Sequence, residues 1–215
     1  MITLYGEGRG FRVAWLLEEL GLPYHMRPVD LLRGLENDSE FLAINPAGFI
    51  PAIVDGETIM VESIAIMEYL LARYGPGPLA PEPDNPAFAT YLQFLHMGEA
   101  GLAGPVNAIV ATIILAPENE QANWTTGWAL DTFKSRLGLV GRQLAKTPYI
   151  AGDRFTAADI SVTYALQFAQ RTIGFAFGPA ELNYIARTPA REGYQRAMDN
   201  FPATKAWVAG LATAN

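Results

Sequence analysis

The run Gly75–Pro86, GPGPLAPEPDNP, carries five of the fifteen prolines in the chain. Such a segment cannot continue a helix and is typically extended. It divides the 215 residues into two parts with different patterns. The length suits one large domain or two small ones, and a hydrophobic content of 50% is enough for a sizeable core. The expected division is a first domain over 1–76, a linker over 77–86 and a second domain over 87–215.

Before the break, strand and helix signals alternate. Ile2–Tyr5 (ITLY) is β-rich, and Phe11–Leu20 (FRVAWLLEEL) is an amphipathic helix with Arg12, Glu18 and Glu19 mainly on the polar side. Gly21 stands at the C-cap and Pro23 follows. Tyr24–Val29 reads as a second strand, Arg33–Ser39 as loop and Glu40–Ile44 as a short helix. Ala52–Val54 pairs with Thr58–Val61 across Asp55-Gly56, and Glu62–Tyr74 is helical. The first two strands, joined through a helix, are expected to be parallel, and the last two antiparallel.

After the break the patterns predict helices over Ala87–Ala116, Gln121–Lys146, Thr156–Thr172, Thr188–Met198 and Pro202–Ala212. The start at Thr156 is the best marked. Thr156 at the N-cap and Asp159 three residues on form a variant capping box, with Phe155 and Ile160 placed as a hydrophobic staple. The most apolar run, Leu102–Ala116, is shorter than a bilayer span and reads as a buried helix.

Composition excludes several classes. A net charge of −7, from 15 basic and 22 acidic residues, argues against nucleic acid and against an anionic membrane. There is no cysteine, so thiol chemistry needs a thiol carried by the ligand. His25 and His96 are the only histidines, and no zinc site or other metal site is expected. With no basic leader before an apolar core, a soluble, cytoplasmic protein is expected.

Three short segments carry chemistry. In Tyr5–Arg12 (YGEGRGFR) the glycines give G-x-G-x-G, and Phe11 occupies the third glycine position of a dinucleotide fingerprint. Phosphate binding is therefore not expected. In Asn45–Pro51 (NPAGFIP), Pro51 is either a rigid turn or a cis bond that opens the Ile50 backbone to an extended peptide. Glu62-Ser63 at a helix start either caps the helix or receives an anion on its free N–H groups.

Together these segments resemble a cytosolic glutathione S-transferase. The likeness runs almost end to end, through LYGEGRGFRVAWLLEELGLPY, NPAGFIPAI, VESIAIMEYL and YIAGDRFTAADI, while Tyr91–Val106 is similar to the fourth helix of a bacterial and fungal branch. The resemblance implies an α/β N-terminal thioredoxin-like domain and an all-α C-terminal helical domain. It implies that glutathione is held by the backbone of Ile50 before a cis Pro51, with Ser63 taking the γ-glutamyl carboxylate and Glu62 its ammonium group. Arg33 or Arg9 would serve the glycyl carboxylate. A small apolar electrophile would lie between the domains against Tyr91, Phe94, Met97 and Phe168. A homodimer and a role in detoxification are also implied, apolar surface at the third and fourth helices being consistent with the former.

The sequence departs from that pattern at one point. Serine- and cysteine-type members place the reactive residue four before the helix arginine, and here Gly8 stands there. Tyr5 occupies the strand-end position of tyrosine-type members, or is simply an aromatic packing on the sheet. The expected activation of the thiol therefore rests on the backbone of Gly8–Gly10 and on Arg9, with Tyr5 as a further donor. Phe49 replaces a residue that is often polar in relatives. Two alternatives remain: glutathione-dependent reduction of peroxides or disulfides, and non-catalytic binding of glutathione or hydrophobic ligands.

Overall fold

The strand β1 (Ile2–Tyr5) leads into the helix α1 (Gly10–Leu20), which returns the chain to β2 (Tyr24–Arg27), parallel to β1 with Ile2 opposite Tyr24 and Tyr5 opposite Arg27. This computed structural model describes residues 1–31, 34–202 and 204–205. A short helix, α2 (Ser39–Ile44), precedes the hairpin of β3 (Ala52–Asp55) and β4 (Thr58–Val61), and α3 (Ser63–Tyr74) follows. The sheet order is β2-β1-β3-β4, with β3 antiparallel to both neighbours. Asp55 belongs to β3, so the turn residues are Gly56 and Glu57, one step later than expected.

Strand alternation separates two layers of core. Leu4 and Ile53 are buried with Val13, Ala14, Leu17, Met67 and Leu70 of α1 and α3. Tyr5 and Ala52 pack instead with Phe41 of α2. Among the described residues, compact contacts join Met1–Gly77 with the segment from Ala190 onward, while Pro78–Pro189 forms a second unit.

Helix α1 differs from expectation at one position. Arg12 was expected on the polar face, yet it is fully buried. Its guanidinium turns to Ser63 of α3, and helix α10 (Glu192–Asp199) packs along α1. Tyr194 meets the Phe11 and Trp15 rings edge-on, with centroids 5.0 and 4.9 Å away. The carboxylates of Glu19 and Glu18 bind Arg191 and Arg196 at 2.7 and 2.9 Å.

In the second unit, Phe88–Leu115 is one continuous helical stretch: α4 (Phe88–Met97), a π turn (Gly98–Ala103) and α5 (Gly104–Leu115). The π turn was not expected. Pro105 lacks the N–H that would bond back four residues and crowds the preceding turn, and the wide turn absorbs that misfit. This stretch of 28 residues is long and apolar enough to cross a membrane by composition, with 33% of its most apolar window buried. Val106 and Ile109 are buried, but the last turn emerges, and Leu115 is 80% exposed rather than buried as expected.

Two further helices are α6 (Glu118–Gln121) and α7 (Trp124–Leu144). The start of α7 is set by a reciprocal cap: Thr126 N–H donates to Asn123 Oδ1 at 3.0 Å, and Asn123 N–H donates to Thr126 Oγ1 at 3.1 Å. Helix α8 (Ala157–Ile173) is buried along most of its length, and its capping box is present. Asp159 accepts from the Thr156 N–H at 2.8 Å, the Ile150 N–H at 2.8 Å and the Tyr184 hydroxyl at 2.9 Å. Burial pushes its carboxyl up to about 6 against the pull of these donors. Helix α9 (Pro179–Arg187) was not foreseen. Pro189 limits Thr188–Ala190 to a 3-10 turn, so α10 begins four residues later than expected. The predicted helix over Pro202–Ala212 lies mostly outside the described residues.

Candidate functional site

Sheet register brings three of the predicted segments to one end of the first unit. Tyr5, at the end of β1, is opposite Ala52, and Ala52 is opposite Val61. The glycine loop therefore leaves β1 where the Ile50-Pro51 segment enters β3 and Glu62-Ser63 leaves β4.

The glycine loop is shaped by its neighbours. A Cβ on Gly6, which has φ +84°, would lie 2.3 Å from Cγ2 of Ile50. Only glycine both adopts that backbone and admits the Ile50 side chain. A Cβ on Gly10 would sit 3.5 Å from Pro51, an ordinary contact. The Ile50-Pro51 bond is cis. The loop before it is organised by buried Asn45, whose Nδ2 donates to the Phe49 carbonyl at 2.7 Å and whose Oδ1 accepts from Ala47 N–H at 3.2 Å.

At the start of α3, Glu62 has φ 71° and ψ 104°, the one positive φ at a non-glycine position among the described residues. A conformation this rare persists only when its surroundings hold it, and such outliers cluster at functional sites. Glu62 is exposed and Ser63 buried. The Ser63 hydroxyl oxygen accepts from Nη1 of Arg12 at 3.2 Å. Since Arg12 supplies only donors, the Ser63 proton remains available to an acceptor elsewhere. A buried guanidinium, a hydroxyl and a helix N-terminus thus combine into a site suited to a carboxylate.

The remaining predicted residues are placed as follows. Gly8 is exposed and Arg9 half-buried at the N-cap of α1. The Gly10 N–H donates to the Glu7 carbonyl at 3.0 Å, so that amide is engaged within the loop. The Glu7 carboxylate accepts from Thr204 N–H and hydroxyl at 2.8 and 2.9 Å. Tyr5 is 7% exposed, its ring 6.0 Å from that of Phe41 and beneath the Arg27 guanidinium. That is the sheet-packing alternative for this residue. Arg33 lies outside the described residues.

In the second unit, Tyr91 and Phe94 are 3% and 2% exposed, which leaves them little surface for a ligand. Met97 and Phe168 are half-buried, and the Phe168 ring stacks on Tyr164 at 6.1 Å. Among the described residues no group of three or more histidine or acidic residues is placed to hold a metal ion. Sequence reading missed Arg12, Asn45 and Gly6. Asn45 was legible in principle, because Asn before Pro often organises a turn. The Arg12–Ser63 pairing had no local signal.

Known proteins share this architecture. Residues 2–72 match the model of the glutathione S-transferase N-terminal domain, and residues 107–210 that of the C-terminal domain. Glutathione S-transferase GstB of Escherichia coli is 31% identical over 168 residues, covering 75% of this chain and 80% of GstB. Glutathione S-transferase 3 of Schizosaccharomyces pombe is 29% identical over 184 residues, covering 80% of this chain and 75% of its own. The solved glutathione transferase URE2P6 of Phanerochaete chrysosporium, in complex with oxidized glutathione, has a TM-score of 0.79 and 25% identity, covering 92% of this chain and 94% of its own. The chain belongs to the glutathione S-transferase family.

Proposed function

We propose that this protein binds glutathione at the end of its sheet and conjugates it to small apolar electrophiles. The observation that carries this reading is the buried Arg12–Ser63 hydrogen bond at the start of α3, beside the exposed carboxylate of Glu62. An α-amino acid group needs donors for its carboxylate and an anion for its ammonium group side by side; Ser63 at the start of α3, backed by Arg12, supplies the first and Glu62 the second. The Ile50 backbone binds the cysteinyl unit as an added strand would. Arg9, or Arg33, faces the glycyl carboxylate.

The chemistry then requires a thiolate. A free thiol has a pKa of about 8.5, so little of it is ionised at neutral pH, and each unit of lowering is worth about 1.4 kcal/mol. A helix N-terminus contributes about 0.3–1 kcal/mol and a hydrogen bond to a charged acceptor about 1.5–3 kcal/mol. The backbone at Gly8 and Arg9, where α1 starts, and the Arg9 charge together suffice for one to two units. The thiolate sulfur attacks the electrophilic carbon, forms the C–S bond and expels the leaving group with its electron pair. Tyr5, packed on Phe41, is left as a structural aromatic.

The acceptor is apolar and meets the helical unit, with Met97 and Phe168 offering more surface than Tyr91 and Phe94. The same reading includes a homodimer in the cytoplasm and a detoxification role. A general chloro-nitroaromatic with glutathione tests it, with an organic peroxide as second substrate. Turnover of the first supports conjugation. Turnover of the peroxide alone points to reduction, and glutathione binding without turnover of either leaves a binder.

A further inference from the structure

We propose that Thr204 is a positioning residue for the thiol: it anchors the Glu7 carboxylate and, through it, the glycine loop that meets the sulfur. The proposal rests on the reading that the thiolate forms at the start of α1.

The loop between β1 and α1 does not hold its own shape. Gly6, Gly8 and Gly10 interrupt it, and glycine populates both signs of φ about as readily. The Glu7 carbonyl accepts from the Gly10 N–H and the Gly8 carbonyl from the Phe11 N–H, each at 3.0 Å. The Gly8 N–H has no protein partner among the described residues, and Gly8 is exposed at φ +59°. Such a donor serves a developing anion only while the turn around it stays fixed.

The segment after α10 fixes it. Thr204 N–H and the Thr204 hydroxyl both donate to Oε2 of Glu7, at 2.8 and 2.9 Å. Three residues earlier, Phe201 is fully buried, its ring edge-on to Phe11 at 5.5 Å. A Cβ on Gly10 would lie 4.0 Å from that ring. The two ends of the turn, Glu7 and Gly10, therefore both rest on the same segment. The anchor also directs charge. Glu7 precedes Gly8 in the chain, and its carboxylate is held toward Thr204. With a weaker anchor it can approach the sulfur, where a like charge disfavours the thiolate.

Thr204→Val in the full chain tests this, because it removes the hydroxyl and keeps the branched shape. The thiolate absorbance of bound glutathione is expected to titrate about half a unit to one unit higher than in wild type. At about pH 6, kcat/KM with a chloro-nitroaromatic falls about threefold to tenfold, and the deficit closes by about pH 9, where both proteins hold the thiolate. Affinity for S-methylglutathione, which has no thiol to ionise, stays within about twofold and shows that the site is folded. Thr204→Ser restores the hydroxyl and the wild-type titration. Asn200→Ala removes the 3.1 Å hydrogen bond to Tyr24 in the same segment and leaves the titration unchanged. An unshifted thiol in Thr204→Val, an equal shift in Thr204→Ser or Asn200→Ala, or lost S-methylglutathione affinity in Thr204→Val would each overturn the proposal. A wild-type thiol titrating at the free value would overturn the reading beneath it, and the proposal with it.

Discussion

Arg12 and Ser63 stand 51 residues apart in sequence and meet through a buried hydrogen bond of 3.2 Å. The bond ties the start of α1 to the start of α3 and fixes the Ser63 oxygen as an acceptor. Removing the hydroxyl in Ser63→Ala takes away the donor proposed to meet glutathione and leaves Arg12 with one partner fewer. Losing a hydrogen bond to a charged group costs about 1.5–3 kcal/mol, so glutathione affinity is expected to fall about tenfold to a hundredfold. Calorimetry with glutathione reads this, and an unchanged affinity would remove Ser63 from the site.

Glu62→Gln keeps the shape at φ 71° but removes the charge proposed to face the ammonium group of glutathione. The expected outcome is a KM for glutathione raised about fivefold or more, with kcat changed much less, because the interaction is made equally in ground and transition states. A fall in kcat at constant KM would place Glu62 in the chemical step instead.

Tyr5→Phe removes only a phenol oxygen from a ring packed 6.0 Å from Phe41. Conjugation is expected to stay within about threefold of wild type, less than about 1 kcal/mol. Arg9→Ala is expected to cost more, through a weaker thiolate. Steady-state kinetics on the two variants, side by side, separate these roles.

These positions show how far sequence carries. The order of strands and helices up to Tyr74 was readable because periodicity and turn residues are local, and the two motifs around Pro51 and Ser63 were readable because their spacing is short. The burial of Arg12 was not: its guanidinium meets Ser63, 51 residues away, a distance that no window of ten or twenty residues can contain. The π turn before Pro105 and the reach of Leu115 into solvent also depend on which neighbours a helix meets along its length.

Gly6→Ala places a methyl group 2.3 Å from Ile50 at φ +84°. Overpacking costs about 1–3 kcal/mol, and a left-handed backbone in a residue with a Cβ adds about 1–2 kcal/mol. Lower unfolding midpoint and weaker glutathione binding are expected together, since the displaced Ile50 is the residue proposed to hold the cysteinyl unit. Urea titration and calorimetry on the same sample check the pair.

Asp159 gives the pH dependence. Burial raises its carboxyl from 3.8 to about 6, so the folded state holds this proton more tightly than the unfolded chain. Its contribution to stability is fully present below the unfolded value and is lost as pH rises through the folded one. A shift of this size corresponds to about 3 kcal/mol. Asp159→Asn cannot titrate, so its stability relative to wild type is expected to improve as pH is raised from about 4.5 to 7. Urea unfolding at both pH values measures this, and a constant difference would assign the dependence to other groups.

The most direct measurement is the ultraviolet thiolate absorbance of glutathione bound to the protein, followed as a function of pH. The expected thiol pKa is at least one unit below the free value of about 8.5, in wild type and in Tyr5→Phe alike. A bound thiol titrating at the free value, with no turnover of a chloro-nitroaromatic, would contradict activation at the start of α1.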